Sequence, residues 1–303
     1  MYVAKTIEGL EEITAEEVKG EKIEKQRVSF SKLKKEIKTA DKVYELWGRC
    51  RFSSMDDLVE KIIKVGRIKK GIKYALLCSR NGEHAFKSVD VIAEVGKKLR
   101  ESGISIDYKN ADEKIFIDIE GSHCFVGKII FEGICKRPYR VRYNNKSISS
   151  CMAAALVKLA GIKKGESMLD PLCKDGVIAV EAYMMGIKNV HAIDPLKNNV
   201  RNATINCKYA KTKIKHLCYD VTWLDTLFKK KAVDYMITNI FLSKHDEDPE
   251  KMVKELFHQA YFIVKKCVGI ITNKPDIIKS YGSFISKWIS EPVGVRVQQR
   301  VAP

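Results

Sequence analysis

Between Ser167 and Thr272 the chain alternates short apolar runs with amphipathic ones, and each of four apolar runs stops at or near an acid or an amide. The strand candidates are Ser167–Leu169 before Asp170, Val190–Ile193 before Asp194, Ile214–Cys218 near Asp220, and Val233–Thr238 before Asn239, with a further run at Val268–Thr272. Helical patterns precede and separate them at Ser150–Ala160, Val177–Met185, Asn198–Ala210 and Met252–Val264. Strand and helix alternating at this spacing predict a doubly wound, mainly parallel sheet with right-handed crossovers. Such sheets bind ligands at the carboxyl ends of their strands. One Asp there is usually a cap or turn residue. Three in succession, followed by Asn239 on the fourth strand, point to a site.

The first strand–turn–helix, "MLDPLCKDGVIAVEA" at 168–182, places Gly176 just before an apolar helix. It is not G-x-G-x-x-G, which disfavours a pyrophosphate-binding NAD site. An acid at the strand end repels phosphate and suits a cationic or amino-bearing ligand. Asp194 stands where a carboxylate holds ribose hydroxyls, and Asp220 where one accepts from an adenine amine.

Residues 1–145 have a different rhythm. Strands are expected at Tyr2–Thr6, Val28–Phe30, Tyr74–Cys78, Ile115–Ile119 and Phe125–Phe131, the last two joined by a turn at Gly121-Ser122. Helices are expected at Leu10–Val18, Ala40–Trp47, Met55–Val65 (capped by Ser53 or Ser54) and Phe86–Leu99, the last with Val89, Ile92, Ala93, Gly96 and Leu99 near one face. This pattern suggests small α+β units. A polar stretch near Tyr143–Lys146 marks the boundary with the second half.

Lys and Arg number 55 against 38 Asp and Glu, a net charge of +17, which favours a polyanionic partner such as nucleic acid. The nine Cys form no C-x-x-C pair and are odd in number, so neither a zinc framework nor a disulfide scaffold is expected, and no metal. A reduced, cytoplasmic chain follows. Acidic residues in the opening dozen argue against a signal peptide, and no run of ~18 apolar residues spans a membrane.

The stretch Asp170-Pro171-x-Cys173-x-x-Gly176-x-Ile178-x-x-Glu181-Ala182 resembles motif I of the S-adenosylmethionine-dependent RNA methyltransferases that carry a THUMP domain. "FKSVDVIAEVGKKL" and "IDYKNADEKIFIDIEG" are similar to the THUMP module, "YVAKTIEGLEEITAEEV" to the ferredoxin-like unit before it, and "VGKIIFEGICKRPYRVR" with "ISSCMAAALVKLAG" to the linker. The resemblance implies a ferredoxin-like unit at 1–50, a THUMP domain at 51–135, a linker at 136–148 and a Rossmann-like class I methyltransferase domain at 149–303. It implies S-adenosylmethionine as cofactor and tRNA or another structured RNA as partner, most often methylated at a guanosine exocyclic N2 amine.

By that resemblance Asp170, Pro171, Cys173, Asp175 and Gly176 line the methionine end of the cofactor pocket, Asp194 binds the ribose, Asp220 with Val221 the adenine, and Asn239 borders the cofactor. The family's turn has Gly-Ser where this chain has Lys174-Asp175. An ammonium beside a sulfonium is electrostatically unfavourable, so Lys174 is expected to face solvent or RNA phosphate, and Asp175 to cap the helix. The family's motif IV is Asn/Asp-Pro-Pro-aromatic. Its Asn oxygen and the next backbone carbonyl accept the amine protons, and its aromatic stacks on the flipped base. Here Asn239 and Phe241 are the catalytic candidates, but Ile240 and Leu242 replace the prolines that pre-aim the carbonyl, and Phe241 arrives one position early.

"KRPYRVRYNNK" at 136–146 sets Lys136, Arg137, Arg140, Arg142 and Lys146 among tyrosines. These cations, with Tyr139, suit single-stranded or terminal RNA. The lysine clusters at 32–38 and 69–73 read as solvated faces. The alternative to an active enzyme is a THUMP-fold RNA-binding module with a degenerate catalytic domain.

Overall fold

The computed structural model describes residues 1–243, 248–280, 287–289 and 295–299. Two compact units divide the chain: Met1–Thr6 with Thr14–Ile134, and Ile7–Ile13 with Cys135–Pro303.

In the first unit the elements run β1 (Tyr2–Thr6), α1 (Glu11–Val18), β2 (Glu21–Glu24), β3 (Arg27–Phe30), β4 (Ala40–Arg51), α2 (Met55–Val65), β5 (Lys73–Asn81), α3 (Ser88–Glu101), β6 (Ser105–Ile106), β7 (Glu113–Glu120) and β8 (His123–Phe131). All eight strands form one sheet, in the order β2-β3-β1-β4-β8-β7-β5-β6. The expected break between residues 1–50 and 51–135 is therefore not a break in the sheet. Strand β4 pairs with β1 on one side and β8 on the other.

β4 also replaces the helix expected at Ala40–Trp47. Ala40, Val43, Tyr44 and Trp47 recur at helical spacing, but both faces of this strand are covered. Val43 packs in one core and Tyr44 and Leu46 in another, so the alternation that marks a half-buried strand is lost. Ser54 caps α2 by accepting from the Asp57 N–H at 3.2 Å. In α3 the buried stripe is Val91, Val95, Gly96 and Leu99, while Val89 and Ala93 are exposed, so the expected face is shifted.

A buried ion cluster crosses this sheet. Arg27 of β3 grips Asp118 of β7 with two bonds of 2.7 Å and Glu120 with one of 2.8 Å. The Lys5 ammonium and the Tyr44 hydroxyl also donate to Asp118. Four donors around a buried carboxylate satisfy it, as burial of a charge requires.

The second unit contains α4 (Ser150–Ala160), β9 (Ser167–Asp170), α5 (Val177–Met184), β10 (Asn189–Asp194), α6 (Lys197–Tyr209), β11 (Lys215–Cys218), a 3₁₀ turn at Val221–Trp223, α7 (Leu224–Leu227), β12 (Val233–Ile240), α8 (Pro249–Ile263), β13 (Val264–Thr272), α9 (Pro275–Ser280), β14 (Lys287–Ile289) and β15 (Val295–Gln299). The sheet order is β11-β10-β9-β12-β13-β15-β14. β9 to β13 are parallel, and β15 and β14 add an antiparallel edge.

Side chains alternate across this sheet with period two. Met168, Tyr235 and Ile237 face the core with α4 and α5, and Leu169, Met236 and Ile240 face the core with α8. Cys135 and Cys151 form a disulfide, with Cα atoms 5.1 Å apart, against the expectation of a wholly reduced chain. Their sequence separation of 16 carries no signature; the fold-back of the linker brings them together. No helix among the described residues is long and apolar enough to cross a membrane.

Candidate active site

The chain leaves β9 toward β10 and later returns to β9's other side as β12. The reversal of strand order thus lies between β9 and β12, where open α/β sheets leave a binding crevice. Asp170 ends β9 and Asn239 lies one residue before the end of β12. The Thr238 hydroxyl donates to Asp170 Oδ1 at 2.9 Å and ties the two strand ends together.

Asp170 is 1% exposed, and its Oδ2 has no partner among the described residues. Burial pushes its carboxyl up to about 7, against the pull of Lys174 and Thr238. The following turn is fastened to the next strand. The Cys173 N–H donates to the Ile193 carbonyl at 2.9 Å, and the Lys174 N–H to Asp194 Oδ2 at 2.9 Å. Pro171 and Cys173 are buried. Gly176 has φ 78°, and a Cβ there would stand 3.0 Å from Ala203 Cβ on α6. A side chain at 176 would be both strained and in the way.

Two expectations for this turn fail. Gly176, not Asp175, occupies the α5 N-cap, without a side-chain bond. Lys174 does not face solvent: it is 8% exposed, its ammonium donates to the Asn239 carbonyl, and it reaches the Leu172 carbonyl at 3.3 Å. Burial lowers its pKa despite Asp170 and Asp194.

Asp194 is buried, with Oδ1 accepting from Leu196 N–H and the Asn199 amide and Oδ2 from Lys174 N–H. By lone-pair count one acceptor position remains on Oδ2. Asp220 accepts from the Thr222 N–H and hydroxyl on Oδ1 and starts the 3₁₀ turn, beside buried Val221. These three carboxylates therefore stand at or just beyond the ends of three adjacent strands.

Residues 137–147 form a strap over this turn, which corrects part of the expected RNA surface. Arg137 pairs with buried Glu181 at 2.9 Å, and Tyr139 donates to the same carboxylate at 2.8 Å. Arg140 donates twice to Asp175 Oδ2, at 2.9 and 2.8 Å, and Ser147 donates to Asp175 Oδ1 at 2.6 Å. Arg137, Tyr139 and Arg140 thus neutralise or satisfy two acids that would otherwise be buried alone, and Tyr139 and Arg140 are not free for RNA. Lys136 and Arg142 are exposed and Lys146 is half-buried. An acid in the apolar run "VIAVEAYM" was the available signal for Glu181, because a buried charge demands a buried partner.

The strap ends on Asn239, whose amide Nδ2 donates to the Lys146 carbonyl at 2.8 Å. A carbonyl partner fixes which end of the amide is nitrogen, so Oδ1 is the end left to accept. Ile240 and Leu242 are buried core residues, and Phe241 between them is 41% exposed. Asn273 holds both backbone groups of Leu242, at 2.8 and 2.9 Å. The Lys146 ammonium lies 6.0 Å from the Phe241 ring centre. Core packing and the Asn273 clamp thus fix the stretch that prolines fix elsewhere. Asn273, Thr238 and Asp175 had no recognisable sequence signal in these roles, since each acts through a partner distant in sequence.

Residues 51–127 match the THUMP domain, and residues 137–270 match the family described as RMKL-like, methyltransferase domain. The chain thus carries a match to a THUMP domain followed by a match to an RMKL-like methyltransferase domain. It is 27% identical over 213 residues to the tRNA (guanine(6)-N2)-methyltransferase of Archaeoglobus fulgidus, covering 62% of this chain and 54% of that one. It is 34% identical over 104 residues to the enzyme of the same name from Thermus thermophilus, covering 34% and 31%. The chain spans about half the length, or less, of these curated relatives. Among solved structures, TrmN from Thermus thermophilus shares the fold with a TM-score of 0.78 at 22% identity, covering 99% of both chains. A protein described as a methyltransferase and solved with S-adenosylhomocysteine has a TM-score of 0.74 at 15% identity, covering 98% of this chain and 97% of its own. The expected Rossmann-like methyltransferase fold after a THUMP-bearing region is therefore borne out.

Proposed function

We propose that this protein methylates the exocyclic N2 amine of a guanosine in tRNA, with S-adenosylmethionine as methyl donor. The observation that carries the proposal is the anchored Asn239 amide beside the switch-point pocket, with Phe241 exposed two residues on. The pocket suits the cofactor. Asp170 offers an unpartnered buried oxygen for a cationic group, Gly176 leaves the turn open, Asp194 retains one acceptor position for a ribose hydroxyl, and Asp220 with Val221 stands at the adenine end. When bound, S-adenosylmethionine supplies an electrophilic methyl group.

The residues of the chain do the rest. A guanosine N2 amine is a poor nucleophile because its lone pair is delocalised. Asn239 Oδ1, held by the Nδ2–Lys146 bond, accepts a hydrogen bond from the amine and orients its lone pair, and the proton released on methylation passes to solvent. The Phe241 ring stacks on the extruded base, as base-modifying enzymes require. Arg142 and Lys136 are exposed cations for RNA phosphates, and each such contact adds roughly 0.7 to the slope of log affinity against log salt. The relatives named tRNA (guanine(6)-N2)-methyltransferase support the choice of RNA and amine.

One observation favours a second function, an RNA-binding module without turnover: the Lys174 ammonium is buried inside the cofactor turn. Methyl-labelled S-adenosylmethionine with unmodified tRNA separates the two. Label in tRNA, lost by about 10²-fold or more in Asn239→Ala, is expected. RNA binding with no label in any tRNA would leave only the second.

A further inference from the structure

Lys174 is unlike the other residues with left-handed backbone. Five non-glycine residues among those described have positive φ: Lys19, Gln26, Lys174, Lys211 and Lys231. Of these only Lys174, at φ 51°, is buried. A long cationic side chain held in a disfavoured conformation and out of water persists only where its surroundings over-determine it. Here they do. Its N–H is fixed on Asp194, and its ammonium is fixed on the carbonyls of Asn239 and Leu172. The side chain thus runs from the acid expected at the ribose to the strand end that carries the amine-binding amide.

We propose that Lys174 is a specificity-determining residue of the cofactor pocket: its ammonium is a cation supplied by the chain, and a sulfonium ligand loads only as Lys174 gives its proton to solvent. This rests on the cofactor assignment made above. The groups that face Lys174 are Asp170 at the end of β9, Asp194 at the end of β10, and Cys173 and Asp175 in its own turn. All four favour the ammonium, yet desolvation outweighs them and lowers its pKa. Asp170 Oδ2 remains without a partner, so Lys174 does not satisfy the acid that a cationic ligand would meet. A sulfonium entering this space adds a second positive charge beside a buried first one. The demethylated thioether adds none at sulfur. The pocket as built therefore favours the thioether, and deprotonation of Lys174, with the proton passing to bulk buffer, removes the bias.

Titration calorimetry of the full chain with S-adenosylmethionine and S-adenosylhomocysteine tests this, comparing the native protein with Lys174→Met and Lys174→Gly. Methionine keeps the bulk without the charge, and glycine removes both and relieves the left-handed backbone. Retained thioether affinity shows that each variant is folded. At pH 7 both variants are expected to shift the affinity ratio toward the sulfonium by on the order of tenfold or more, the scale of one removed like charge at short range. Raising the pH to 9 should shift the native ratio the same way. The ligands' own amines titrate alike with all three proteins, so the difference between native and variant reads Lys174. A ratio unchanged in both variants, or a gain in Lys174→Gly alone, overturns the proposal and leaves the cofactor assignment standing. Failure of all three proteins to bind either ligand overturns both.

Discussion

Arg140 and Arg142 are two residues apart in one basic stretch, yet the structure gives them opposite roles. The Arg140 side chain is 6% exposed and donates twice to Asp175, whose side chain is wholly buried. Arg140→Ala leaves that carboxylate with the Ser147 hydroxyl at 2.6 Å and the Asn144 N–H at 3.3 Å. Removing one partner of a buried pair costs about 3–5 kcal/mol, most of it from the charge left behind. The two surviving donors place this case near the lower figure. For a folding unit of this size about 3 kcal/mol lowers Tm by roughly 6–12 °C. Arg142 is exposed, so Arg142→Ala should change stability by no more than about 0.5 kcal/mol. It should instead reduce the salt slope of tRNA binding by roughly 0.7. Differential scanning calorimetry and fluorescence anisotropy against salt, run on both variants, read the two effects separately. An Arg140→Ala protein with native Tm and a reduced salt slope would refute the strap and restore Arg140 to the RNA surface.

Asp170→Asn tests the buried acid. Its carboxyl is raised from 3.8 to about 7, so its contribution to stability is full below 3.8 and is lost as pH rises through about 7. Relative to native, Asp170→Asn should gain about 2.7 kcal/mol of stability between pH 5 and pH 8, two pH units below the carboxyl's value at about 1.36 kcal/mol each, less whatever Lys174 loses with its neighbour; urea unfolding showing a pH-independent difference would contradict this. Asn273→Ala removes two bonds from Leu242 and should cost about 1 kcal/mol while lowering kcat with little change in cofactor affinity; an unchanged kcat would mean that Phe241 is fixed by packing alone. Reducing the Cys135–Cys151 bond, which closes a 16-residue separation, should lower stability by about 3 kcal/mol, and a Cys151→Ser protein should then be insensitive to reductant in the same calorimetric scan.

Strand ends were the legible part of the site. Asp170, Asp194 and Asn239 each terminate an apolar run, and a continuous apolar run with a polar stop is a local signal of a buried strand's end. Ala40–Trp47 reads as helix in the sequence because a strand covered on both faces loses its alternation, and its Ala40, Val43, Tyr44 and Trp47 then mimic a helical stripe. The basic stretch at 136–146 was legible as charge but not as partnership. Charge says nothing of direction, and Asp175 and Glu181, which claim Arg140 and Arg137, lie 35 and 44 residues away. Lys174 is the same case in reverse: the residue type was visible as a departure, but only the fold shows its ammonium turned inward onto Asn239.

The central claim is an Asn239-directed methyl transfer to a guanosine amine, and mass spectrometry of nucleosides tests it most directly. Unmodified tRNA incubated with the protein and S-adenosylmethionine, then digested, should yield N2-methylguanosine with the native chain and lose it with Asn239→Ala. Methylation at another position of the base, or N2-methylguanosine formed equally by Asn239→Ala, would contradict the account.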